Sequence, residues 1–106
     1  MEEEWKEKFL AARISSILDG VRNYVKKQPM MVELFRSGYG KENVKEDLQP
    51  YFFEAYELFK KGFVRSSIEA YFEQSLDPKS SDYQPIKKVL NLILDEGEEE
   101  FRCSRR

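Results

Sequence analysis

EEWKEKFLAARISSILDGVRNYVKK, residues 3–27, decides the fold class. Along it Leu10, Ile14, Ile17, Val21 and Tyr24 recur at steps of four, three, four and three, with Leu18 and Val25 beside them. That spacing lines one face of an α-helix; a half-buried strand would alternate at every second residue. Trp5 and Phe9 carry the stripe backward. Glu2, Glu3 and Glu4 suit the positive end of the helix dipole, and Lys26 and Lys27 the negative end. Gly20 weakens the middle by about 1 kcal/mol relative to alanine without breaking it.

Beyond this helix the chain keeps the same period. Gln28-Pro29 interrupts it, because a residue before proline avoids the helical region. Pro29 then opens a short helix to about Arg36 that is expected to bury Met30, Met31, Leu34 and Phe35, and Gly38-Tyr39-Gly40 closes it with a turn. From Lys41 the residues Val44, Leu48, Phe52, Ala55 and Phe59 follow one face. Pro50 must kink that helix or start a new one, and the favoured reading is a helical turn to Leu48 followed by a main helix over 50–61. Gly62 is placed as a C-cap after Lys60 and Lys61. Val64, Ile68, Tyr71 and Phe72 mark the next helix. The loop DPKSSD, residues 77–82, ends it, and Asp82 and Pro85 suit the start of the last. Ile86, Val89, Leu90, Ile93 and Leu94 give that helix a clean stripe, whose continuation through Gly97 to Phe101 the pattern leaves open. No segment alternates as a strand. The expectation is all-α: one domain over 1–106, a bundle of four to five helices with short loops and frayed ends at 1–4 and 102–106.

Composition narrows the chemistry. The 106 residues are 41% hydrophobic, 36% charged and 14% aromatic, which suits a folded chain rather than a disordered one. The formal net charge of −2 gives no general pull toward nucleic acid or anionic membrane. No apolar run approaches the ~20 residues a membrane span needs, and the charged residues 1–8 form no signal peptide, so a cytoplasmic location is expected. There is no histidine, and Cys103 is the single cysteine. Those two facts exclude Cys/His zinc sites, Ser-His-Asp triads and histidine acid–base mechanisms. High Lys, Arg and Glu content with three Asn and four Gln resembles the composition of thermophile proteins, and equally that of any small surface-rich helical domain.

The segment AYELFKKGFVRSSIEAYFEQSLDP, residues 55–78, resembles one tetratricopeptide-type helical hairpin. The small residue, glycine, aromatic and closing proline of that family would fall on Ala55, Gly62, Tyr71 and Pro78. Gln74 stands where a small residue belongs, the run to Pro78 is two residues short, and no second copy exists, whereas such repeats need about three to be stable. The segment is also similar to the helical hairpins of HEPN-type bundles, whose ribonuclease members need a histidine that this chain lacks. A generic helical hairpin accounts for the same residues, and no family is assigned.

Three candidate sites follow. Tyr51, Phe52, Phe53 and Tyr56 cannot all face one core: Phe52 and Tyr56 share a face, while Phe53 lies about 100° away. The Met30-Met31 pair adds adaptable apolar surface nearby in sequence, and Met31, Tyr51, Phe53 and Tyr56 form either a core wrapped on two sides or a surface for a protein partner or a second copy. Glu54 and Glu57 stand one turn apart, and Glu69 and Glu73 four apart on the next helix. Four converging carboxylates would hold Mg²⁺ for phosphate hydrolysis, as in helical nucleotide pyrophosphatases; carboxylates that flank core stripes are equally solvated faces. Lys60, Lys61 and Arg65 around Gly62 would suit a small nucleic-acid-associated regulator if they converged, though acidic neighbours and a pI near 5.3 weigh against it. The acidic block Asp95 to Glu100, followed by arginines, reads as a solvated turn with a Glu98–Arg102 pair or as a docking tail, and Cys103 as exposed and incidental. The leading expectation is a non-enzymatic protein–protein interaction module or subunit without cofactor, possible homodimerisation included.

Overall fold

In a computed structural model, which describes residues 2–104, six helices enclose one core. They are α1 (Glu2–Lys27), α2 (Pro29–Arg36), α3 (Lys41–Asp47), α4 (Gln49–Lys60), α5 (Arg65–Gln74) and α6 (Tyr83–Ser104). No strand occurs among the described residues. The bundle is flattened, 44 × 35 × 19 Å. Of the ends expected to fray, Met1, Arg105 and Arg106 lie outside the described residues.

The chain forms six helices where four to five were expected, because the stretch before Pro50 is a seven-residue helix of its own. Leu48 caps α3 and heads α4, its carbonyl taking the amides of Tyr51 (2.9 Å) and Phe52 (3.4 Å). Pro50 sits in the first turn of α4, where its missing N–H breaks no ladder. Two helices end alike. At Gly38 and Gly62, with φ of +97° and +100°, the chain reverses through a left-handed residue. The amides that follow reach back over the turn, Tyr39 to the Leu34 carbonyl (2.8 Å) and Phe63 to that of Leu58 (3.1 Å). The Asp77 carboxylate accepts the Lys79 amide (3.0 Å) across Pro78, setting the turn that leads to α6.

The stripes read from the sequence meet as the core. Ile14, Ile17, Leu18 and Val21 of α1 face Leu58 and Phe59 of α4, Ile68 and Phe72 of α5, and Val89, Leu90, Ile93 and Leu94 of α6, all buried. Expectation fails on α2. Val32 and Phe35 are the residues it buries, whereas Met30 and Leu34 stand outside. A short helix at the rim can bury only one side, and all its sides but the Glu33 and Arg36 positions are apolar. The hairpin reading of residues 55–78 also gives way: α4 and α5 make little mutual contact, and α4 packs most extensively on α6.

That packing rests on Gly97, within α6, which runs unbroken past it to Ser104. A Cβ at Gly97 would lie 2.7 Å from the Ala55 Cβ and 3.0 Å from the Tyr56 backbone nitrogen. The two helices approach to near backbone contact because both residues are small. Among the described residues no helix is long and apolar enough to cross a membrane.

Candidate functional site

The close approach of α4 to α6 carries the Tyr56 backbone down onto α6 and turns the neighbouring aromatics outward. Phe53 is 59% exposed, and its ring lies beside that of Tyr56 with centroids 6.0 Å apart and planes tilted by 41°. Both rings stand in a broad groove of about 990 Å3 between α3, α4 and α6. Pro50, Phe52, Phe53 and Tyr56 make its apolar floor. Glu42 and Glu46 of α3 and Glu96 and Glu100 of α6 make its rim, with Lys45 the one cation among the lining residues.

Two ties hold α3 as the groove's wall. The Lys45 ammonium sits 3.1 Å from Glu96 and 3.9 Å from Glu42, and its hydrogen bond to Glu96 raises its pKa above the ordinary lysine value. At the other end Tyr24 donates its hydroxyl to Asp47 (3.0 Å); burial and that acceptor push the phenol up to about 12. Lys60 extends over the face of Tyr56, 5.9 Å from the ring centre.

Of the aromatic set expected at an interface, the structure brings Phe53 and Tyr56 together. Tyr51 and Phe53 are two residues apart, so about 200° separates them around the helix. Tyr51 is half-buried against α1, where Gly20 leaves room for its ring: a Cβ there would lie 2.1 Å from the ring carbon Cζ. Met31 is half-buried too, its methyl 3.9 Å from where a Cβ on Gly40 would stand. Neither lines the groove.

The carboxylates do not assemble into one site. Glu54 accepts the Ser16 hydroxyl of α1 (2.9 and 3.0 Å), Glu69 lies 3.8 Å from Arg65, and Glu73 takes the Tyr83 hydroxyl (2.9 and 3.0 Å) and the Lys87 ammonium of α6. Among the described residues no three acidic, Cys or His groups stand where they could hold a metal ion. The cations around Gly62 also have partners in three directions. Lys60 faces Tyr56, Lys61 stands over Trp5 and Phe9 at 6.0 and 5.8 Å, and Arg65 reaches Asp95 (2.7 Å) and Glu98 (3.4 Å). In the acidic block Glu98 lies 3.5 Å from Arg102, as the spacing implied, and Cys103 is exposed.

Glu73 is a tie between α5 and α6. The bond from Lys87 and then that from Tyr83 hold its carboxyl below the ordinary range. A depressed folded value means stability that is present above the unfolded value, about 4.3, and is lost as pH falls through the folded one. Urea midpoints taken from about pH 6 down to about pH 3 are therefore expected to fall more steeply for the wild type than for Glu73→Gln. Parallel curves would mean that the carboxylate contributes nothing to holding α5 on α6.

What the sequence did not reveal is the acid rim, because its members come from two distant helices. One signal was present: Glu96 and Glu100 are four apart within the acidic block, on one face of the last helix. No family model matches this chain, and no curated protein or solved structure matches it.

Proposed function

We propose that this chain is a small helical protein–protein interaction module, and that the groove between α3, α4 and α6 is where it takes its partner. The observation that supports this most is Phe53, more than half exposed in a concavity beside a second aromatic ring. Fully burying a phenylalanine side chain is worth about 1.5–3 kcal/mol, so a ring left this open holds much of that in reserve for association. A central aromatic surrounded by polar groups that exclude water when covered is the usual anatomy of an energetic anchor.

The rim gives the partner's chemistry. Four carboxylates against one ammonium leave three net negative charges around the floor, more than the two carried by the entire chain. A segment that suits this groove presents apolar side chains inward and cations at its edges, as an amphipathic basic helix does. Salt should weaken such binding, since Glu42, Glu46 and Glu100 of the rim are exposed.

An NMR titration with a synthetic Leu/Lys amphipathic peptide tests the reading. Amide shifts should concentrate in α3, α4 and the Glu96–Glu100 turn of α6. Phe53→Ser should abolish them while leaving stability within about 0.5 kcal/mol of the wild type, the usual range for a surface change. Shifts scattered over the whole surface, or unchanged in the variant, would overturn it.

A further inference from the structure

The molecule has a second exposed apolar surface, and it carries the opposite charge. Met30, Leu34 and Tyr39 are 77%, 47% and 68% exposed. Met30 and Leu34 are one turn apart and share the outer face of α2. The reversal at Gly38 sets Tyr39 beside them, through the 2.8 Å bond from its amide to the Leu34 carbonyl. The inner face of α2, Val32 and Phe35, seats this ridge on the core.

The stretch of chain that carries the ridge is basic. Residues 26–41 carry Lys26, Lys27, Arg36 and Lys41 against Glu33 alone, all exposed, which leaves three net positive charges. The groove carries three net negative ones. Ridge and groove therefore carry opposite charge and have apolar residues at their centres. They lie close along the chain: Lys41 ends the basic stretch, and the next residue, Glu42, lines the groove.

Resting on the reading of the groove as the contact site, we propose that its occupant is α2 of a second copy of this chain. Met30 and Leu34 enter the groove over Phe53 and Tyr56, and the flanking lysines meet the carboxylates of the rim. Groove against groove would oppose negative to negative, and ridge against ridge positive to positive; only ridge in groove is favourable for two identical chains. Each copy carries both surfaces, so a two-fold axis that seats one ridge in the partner's groove seats the other as well, giving a closed dimer with two equivalent sites.

Sedimentation equilibrium over about 10 to 500 μM, with single and mixed variants, tests this. At low salt the wild type should approach twice 12.6 kDa, and added salt should weaken the dimer. Met30→Glu places a carboxylate on the ridge and Phe53→Asp one in the groove; both positions are exposed, and circular dichroism verifies that each variant is folded. Each alone should associate at least tenfold more weakly. Mixed in equal amounts they should form a heterodimer, because one intact ridge still meets one intact groove.

A wild type that stays monomeric throughout would overturn the proposal, as would a mixture that fails to assemble. Loss of the dimer in Phe53→Asp with full retention in Met30→Glu would also overturn it, while leaving the groove as an interface for something other than α2. Peptide shifts in the groove of a strictly monomeric protein would separate the two readings in the same way.

Discussion

Gly97→Ala is expected to destabilise the protein by about 1–3 kcal/mol and Gly97→Leu to prevent folding, although both residues favour helix over glycine. Two effects of opposite sign compete at this position. Alanine gains about 1 kcal/mol of helix propensity in the interior of α6. Against that, its methyl would lie 2.7 Å from the Ala55 Cβ, 3.0 Å from the Tyr56 nitrogen and 3.2 Å from the Ala55 carbonyl carbon. Two of these are backbone atoms, which no rotamer change can move aside. Relief requires separating α4 from α6, the most extensively packed pair in the bundle. Forced overpacking of this kind exceeds the propensity gain. Urea midpoints of the wild type and Gly97→Ala decide the sign, and a variant more stable than the wild type would show that α4 and α6 have slack at their crossing. The same separation would move Tyr56 and reshape the groove, so peptide binding should weaken in Gly97→Ala even where it folds.

Leu48→Ala is expected to lose about 2–5 kcal/mol, the range for large-to-small changes in a close-packed core. Leu48 is 1% exposed at the single residue between α3 and α4. Its carbonyl starts α4 and its own amide ends α3 on Val44 (3.1 Å), so local collapse to fill the void would disturb both helix ends. Sites that cannot collapse fall toward the upper part of that range. Thermal melts provide the measurement; a loss under about 1 kcal/mol would mean that the joint relaxes around the smaller side chain.

The fold was largely legible in the residues because the long helices bury wide, regular stripes. Leu10 to Val25 and Ile86 to Leu94 could face only inward, and the structure buries their stripe residues, Tyr24 in part. Legibility fades where a helix is short. In PMMVELFR two apolar faces compete for one place on the core, and periodicity cannot say whether Val32 and Phe35 or Met30 and Leu34 go inside. For that reason the choice within the Met30-Met31 pair fell on Met31, and Leu34 and Tyr39 were passed over as surface. The aromatic cluster divided for a similar reason. Gly20, read as a flaw in α1, makes the space that draws Tyr51 away from Phe53. Gly97, the place where the last helix was in doubt, is the point on which that helix packs. Both glycines mark places where another element comes close, a fact that belongs to the partner's position and is absent from local pattern.

The pairing of α4 with α6 also orders events in time. During synthesis α4 is complete when Lys60 has been added, but the residues that cover Ala55, Leu58 and Phe59 arrive with α6, up to roughly forty positions later. At about 5–20 residues per second that interval lasts some 2–8 s. Until then α1 is the one long helix already made that packs on α4, and the side of α4 meant for α6 lacks its cover. The groove is finished last, because Glu96 and Glu100 of its rim come with that final helix.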